Sequence, residues 1–231
     1  MGLDAEHGKL VTVMADKIRP PSPVPDTVPS GMPHTVPTVT PDAVPDTLSD
    51  TSSHSAVLEI ASSNRSKCRA CGTQLEKGVL RFGERAPNPF GDGGGELTYW
   101  FHPDCAAYRR SEIFVKLTPE DLAEVPEGGK LMERAQTGVS HRRVPRIAGL
   151  EHSKSGRAKC RQCKEAIATS TLRILLTWWE EGRMAAMGFL HLGCATAYFE
   201  TREIMPWLRF TAHDETHANA EEIMRALGVP L

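Results

Sequence analysis

The chain is 231 residues long, 40% hydrophobic and 24% charged, with a formal net charge of −2. That length leaves room for one or two ordinary domains. No apolar run approaches a membrane span and the stretch Leu10 to Met14 is too short for a signal-peptide core, so a reducing, intracellular setting is expected.

Residues 1–60 hold three Lys/Arg against eight Asp/Glu, which places the positive charge of the chain in residues 61–231. The bias there is weak, so a polyanionic partner would have to be held by local clusters. From Arg19 to Thr47 proline recurs every few residues, removing backbone donors and fixing φ. Residues 1–60 are therefore expected to be a disordered tail, an extended tether whose repeated Val-Pro-Asp-Thr (Val24 to Thr27, Val44 to Thr47) is also suited to a proline-reading partner.

All six cysteines follow, in one pattern used twice: Cys68-x-x-Cys71 with His102-x-x-Cys105, then Cys160-x-x-Cys163 with His191-x-x-Cys194. A thiolate pair two residues apart clamps one side of a zinc ion, and a His/Cys pair about thirty residues later closes the tetrahedron. The rival reading, a disulfide framework, belongs to short secreted chains; in a reducing compartment thiols read as metal ligands. Two Zn2+ per chain are expected, both structural.

The halves agree beyond the ligands. Arg65, Lys67 and Arg69 around the first CxxC are matched by Arg157, Lys159 and Arg161, Leu75 by Ile167, and Leu80-Arg81 by Leu172-Arg173. This is a tandem duplication. Val79 to Phe82 and Leu97 to Phe101 read as strands joined by a loop rich in glycine, and Leu172 to Trp179 with Met184 to Leu190 as a hairpin through Glu181-Gly182. Helices are expected to start near Pro103 and Leu192, so that each HxxC sits at a strand-to-helix corner. Thr118-Pro119-Glu120-Asp121 has the cap, N1 proline and acidic first turn of another helix, and Ala220 to Leu227 ends at Gly228. The expected organisation is α+β: two small zinc-stabilised ββα-type modules over 61–140 and 150–231, joined by a basic linker at 141–149. That linker, His141-Arg142-Arg143-Val144-Pro145-Arg146, either tracks phosphates or is simply solvated. Units this small bury little apolar surface, and zinc binding of about 10–16 kcal/mol in comparable peptides has to supply much of their stability.

The Ser-x-Arg lead-in, CxxC, Leu-Arg on the next strand, long insert, aromatic before the histidine and HxxC together resemble the zinc fingers of poly(ADP-ribose) polymerases, also found in a nuclear DNA ligase. Asn64 departs from the lead-in glycine of that family, and Glu180 and Glu181 near the expected DNA-facing turn would repel phosphate. The resemblance implies binding to DNA strand breaks rather than to a base sequence. It implies phosphate contacts from Arg65, Lys67 and Arg81 in the first unit and from Arg157, Lys159 and Arg173 in the second. Base stacking would fall to Phe90 and Leu97 in the first unit and to Trp178, Trp179, Met184 and Met187 in the second, although neighbouring tryptophans on a strand face opposite ways and one of the pair is core.

Two rival functions bear on the same residues. His213-Asp214-Glu215-Thr216-His217 has histidines at i, i+4 but aspartate where a zinc protease needs glutamate, so no enzymatic activity is expected. The other rival is a protein-interaction adaptor in which zinc only holds shape. The expected setting is intracellular, nuclear in a eukaryote or nucleoid-associated in a bacterium, with a repair or signalling protein as a possible further partner.

Overall fold

The computed structural model describes residues 53–88, 95–180 and 182–230. The proline-rich segment, Phe90 with the glycines after it, and Glu181 lie outside the described residues.

The first module opens with β1 (Ser55–Ile60), followed by β2 (Leu80–Pro87) and β3 (Glu96–Phe101), an antiparallel sheet in the order β1-β2-β3. Four helices follow: α1 (Pro103–Arg109), α2 (Ser111–Phe114), α3 (Pro119–Glu124) and α4 (Gly128–Ser140). A 3-10 turn (Val144–Arg146) leads into β4 (Ile147–His152), β5 (Leu172–Glu180) and β6 (Arg183–His191), again ordered in sequence. A second 3-10 turn (Leu192–Cys194) runs into α5 (Ala195–Phe199), then α6 (Met205–Thr211), α7 (His213–Ala218) and α8 (Ala220–Leu227).

The local signals hold where they were strong. Thr118 Oγ1 accepts from Asp121 N at 3.1 Å and Asp121 Oδ2 accepts from Thr118 N at 3.2 Å, a reciprocal cap that satisfies two of the orphan donors of α3. Helix α8 stops at Gly228. Each module, however, is βββ followed by helices rather than ββα. Ser55–Ile60, expected within the disordered tail, and Ile147–His152, expected partly within the linker, are the first strands of their sheets. Neither has a strong period of its own, and each is held by a partner some 25 residues downstream: Glu59 lies opposite Arg81, Glu151 opposite Arg173.

Two cores form. Phe82, Phe101, Phe114, Ile113 and Leu75 fill the first, with the Phe82 and Phe114 rings stacked at 5.6 Å. Ile147, Ile167, Ile174, Leu190, Phe199, Trp207 and Leu208 fill the second. The modules also pack against each other. Trp179, near the tip of the β5–β6 hairpin, meets Tyr99 edge-on at 5.2 Å and Phe101 at 5.5 Å, with the Arg110 guanidinium 4.7 Å from its ring centre. In return, Tyr108 of α1 lies flat on Phe210 at 4.1 Å, and its carbonyl accepts from Trp207 Nε1 at 3.1 Å. Arg109, itself half-buried, donates to the carbonyls of Pro145 and Ile147, fixing the connection between the modules. Burial pulls its pKa down to about 10, and the nearby Cys105 opposes that shift.

Candidate functional site

Each cysteine knuckle is built by the same backbone ladder. Gly72 N donates to Cys68 O and Cys68 N to Thr73 O, both at 2.8 Å, so the chain turns sharply between the two thiols. That turn needs a left-handed residue: Gly72 has φ 77°, and the second copy forces the same conformation on Lys164, φ 66°. Further along, Leu75 N donates to Ser66 O and Ile167 N to Ala158 O. Arg69 N donates to Trp100 O and Arg161 N to Phe189 O, both at 2.9 Å, which ties each knuckle to the strand carrying its histidine. The HxxC pair then sits where strand gives way to helix, at His102 before α1 and at His191 before the 3-10 turn.

These ladders bring Cys68, Cys71, His102 and Cys105 together, and Cys160, Cys163, His191 and Cys194 likewise, with all ligand atoms in each group within 4.8 Å of one another. His102 Nδ1 lies 3.5 Å from Cys71 Sγ and 3.8 Å from Cys105 Sγ; His191 Nδ1 lies 3.3 Å from Cys163 Sγ. Tetrahedral zinc with bonds of about 2.0–2.3 Å needs ligand separations of about 3.3–3.8 Å, so the arrangement fits. All six cysteines are free thiols. His191 Nε2 faces Ala166 O at 3.3 Å; a carbonyl can only accept, so Nε2 carries the proton and Nδ1 keeps its lone pair for the metal.

The electrostatics of the thiols suit a cation at each site. A hydrogen bond from the Cys105 side chain lowers Cys68 to about 4, aided by the backbone donors of Cys71, His102 and Ala70, while Cys105, sharing that bond and buried, is driven upward. In the second site burial works against ionisation of Cys160, but the N–H groups of His191, Cys163 and Gln162 bring it to about 7; burial, then the Cys160 thiolate, push Cys194 up to about 12. Three thiols so close do not all ionise unaided, and a dication removes the conflict. The protein thus carries two closed Cys3His zinc sites, whose four protein ligands leave no position for a reacting water.

Beside each zinc site stands an arginine clamp that the sequence did not disclose. Arg81 donates from Nε and Nη2 to Glu59 and from Nη1 to Ser66 Oγ at 2.9 Å, and its guanidinium lies 3.7 Å from the centre of the Trp100 ring. Arg173 repeats this with Glu151, Ser153 Oγ and the Phe189 ring at 3.6 Å. Both side chains are buried, 7% and 6% exposed, because the neighbouring first strand brings a carboxylate to each and the aromatic before the histidine covers the guanidinium. Trp179 packs against Tyr99 and Phe101 of the first module. Trp178, on the other side of β5, and Leu97, opposite Ala86, are half-buried.

Arg65, Lys67, Arg157 and Lys159 are exposed. Lys67 is held by a bridge to Gln74 and Lys159 by the equivalent bridge to Ala166, so each pair projects from a fixed edge of its knuckle. Residues 61–81 carry five basic side chains against one acidic, and residues 153–173 six against one. Away from the knuckles, His213 lies on the exposed α7 with its Nδ1 3.1 Å from Asp214. Among the described residues no helix is long and apolar enough to cross a membrane.

Residues 59–141 match the poly(ADP-ribose) polymerase and DNA-ligase Zn-finger region. The first module is thus similar to that finger region, and the second repeats its ligand set, knuckle ladder and arginine clamp. A poly [ADP-ribose] polymerase of Sarcophaga peregrina is 26% identical over 137 residues, covering 52% of this chain and 14% of that protein. Poly [ADP-ribose] polymerase 1 of Gallus gallus is 40% identical over 55 residues, 24% of this chain and 5% of the relative. A polynucleotide 3'-phosphatase of Arabidopsis thaliana, ZDP, is 27% identical over 164 residues, 60% of this chain and 23% of the relative. The chain therefore spans less than a quarter of the length of each of these three relatives.

Proposed function

We propose that the chain binds DNA at strand breaks or nicks, without sequence specificity, through two PARP-type fingers acting as one rigid body. The observation that carries this reading is the repeated exposed pair, Arg65 with Lys67 and Arg157 with Lys159, displayed at the edge of each zinc knuckle. Lysine and arginine on phosphates give affinity without reading bases. A break adds the apolar face of a terminal base, and stacking of about 1–3 kcal/mol per base separates broken from intact duplex. Trp178, Leu97, Met184 and Met187, with Phe90, are the stacking candidates that remain once Trp179 is assigned to packing. Arg81 and Arg173 act one step back, holding the first strand and the aromatic beside the zinc so that the basic edge keeps its shape. The zinc ions supply folding energy, and we assign the chain no catalytic role and an intracellular setting. The similarity to poly [ADP-ribose] polymerases and to a polynucleotide 3'-phosphatase supports this reading.

Fluorescence anisotropy with intact, nicked and blunt-ended duplexes over a salt series tests it. The nicked duplex is expected to bind about tenfold more tightly than the intact one, and Arg65→Ala/Lys67→Ala to flatten the slope of log K against log salt by about two. Equal and negligible binding to all three duplexes would instead leave a zinc-stabilised protein-interaction adaptor.

A further inference from the structure

The two knuckles differ where the chain returns past them. In both, the return loop reverses at a left-handed residue, Gly78 (φ 85°) in the first copy and Ser170 (φ 63°) in the second. Gly78 N donates to Ala61 O at 2.8 Å and Ala61 N to Val79 O at 2.9 Å; Ser170 N to Ser153 O and Ser153 N to Thr171 O repeat the pair, both at 2.8 Å. The residue before the reversal is thereby carried back beside the lead-in of its own knuckle. It is Lys77 in the first copy and Thr169 in the second.

The first copy adds a latch. Asn64, directly before Arg65, accepts from Lys77 N at its side-chain Oδ1 and from Gln74 Nε2 at its carbonyl, and Gln74 is in turn bridged to Lys67. In the second copy the same three positions hold Gly156, Ala166 and Thr169, so neither side-chain bond can form. Glycine is not a demand of that backbone, since a Cβ at Gly156 would meet only Thr169 Oγ1, at 3.8 Å. The latch fixes the root of Lys77 against the stretch that displays Arg65 and Lys67, and all three side chains are exposed. With Arg81 matched by Glu59, residues 59–81 keep Arg65, Lys67, Arg69 and Lys77 against the single acid Glu76.

A lysine is a point charge on a flexible stem, and fixing its backbone lowers the ordering cost of placing that charge on an anion. We propose that Lys77 is a third phosphate contact of the first knuckle, positioned by Asn64, and that the second knuckle lacks its counterpart. The inference rests on the DNA binding proposed above, and the group bound is a backbone phosphate of the polynucleotide.

Anisotropy of the zinc-loaded full chain with nicked duplex over a salt series tests it. Lys77→Gln is expected to weaken binding severalfold and to flatten the slope of log K against log salt by about one, and Lys77→Arg to keep both. Asn64→Gly removes no charge, yet it is expected to weaken binding by about two- to threefold in the wild-type background and to add nothing to Lys77→Gln. An equal loss in both backgrounds shows Asn64 acting on the fold alone and overturns its positioning role. A wild type that binds nicked duplex, with the wild-type slope retained in Lys77→Gln, overturns the contact and leaves Arg65 and Lys67 standing. A wild type that binds no duplex overturns the proposed function, and this inference with it.

Discussion

Arg110 shows how much this small fold asks of a single side chain. It is 3% exposed, and its guanidinium donates to both carboxylate oxygens of the fully buried Glu84, at 2.7 and 2.5 Å, while also pairing with Glu112. Burial opposes its charge, but the two carboxylates raise its pKa all the same. Removing it strands Glu84 with His54, at 2.6 Å, as its one remaining charged partner among the described residues. Arg110→Met is therefore expected to lose about 3–5 kcal/mol of stability in denaturant melts of the zinc-loaded protein, and Glu84→Leu/Arg110→Met to recover most of it. Arg81 differs in that its partner Glu59 has a side chain 43% exposed and can return to water. For Arg81→Ala we expect a smaller loss, about 1–3 kcal/mol, together with weakened DNA binding that follows the loss of fold. In the sequence Arg81 and Arg173 were recognisable as a repeated pair. Their orientation was not, because it depends on carboxylates 22 residues earlier in the chain.

At the scale of elements, the hairpin β5–β6 carries a structural demand that its turn sequence only half reveals. Glu181-Gly182 was legible as a turn, and Gly182 does adopt φ 83°. What the sequence concealed is that a Cβ at Gly182 would overlap the ring of Tyr99 in the other module. Gly182→Ala is thus expected to push the hairpin tip off β3, costing upwards of about 1 kcal/mol from backbone strain alone and shifting the tryptophan fluorescence to the red. The knuckles and the cap of α3 were readable because their hydrogen bonds close within a few residues. Strands β1 and β4 were not, since an isolated six-residue strand has no stability until its neighbour is present.

Over the whole molecule, the repeated ligand pattern pointed to two tandem units, but their union was invisible in the sequence. Tyr99, Tyr108, Trp179, Trp207 and Phe210 looked like ordinary core or stacking residues; only the fold brings them to one seam. A single cooperative thermal transition is expected for the zinc-loaded chain, with Trp179→Ala lowering the melting temperature and resolving the transition into two. Chelation should act on both modules together. Stripping zinc from the wild type is expected to abolish the folded signal in circular dichroism, and restoring about two equivalents to recover it.

The seating of one hairpin among the aromatic rings of the other copy has a consequence for how this pair can change. Two repeats on a slack tether drift apart freely, each judged on its own merits. Here the tip of the later repeat is interior to the earlier one, so a lengthened turn or a bulkier residue in one is felt as a defect in the other. The duplication has become an internal heterodimer, whose halves must vary in step and are no longer exchangeable.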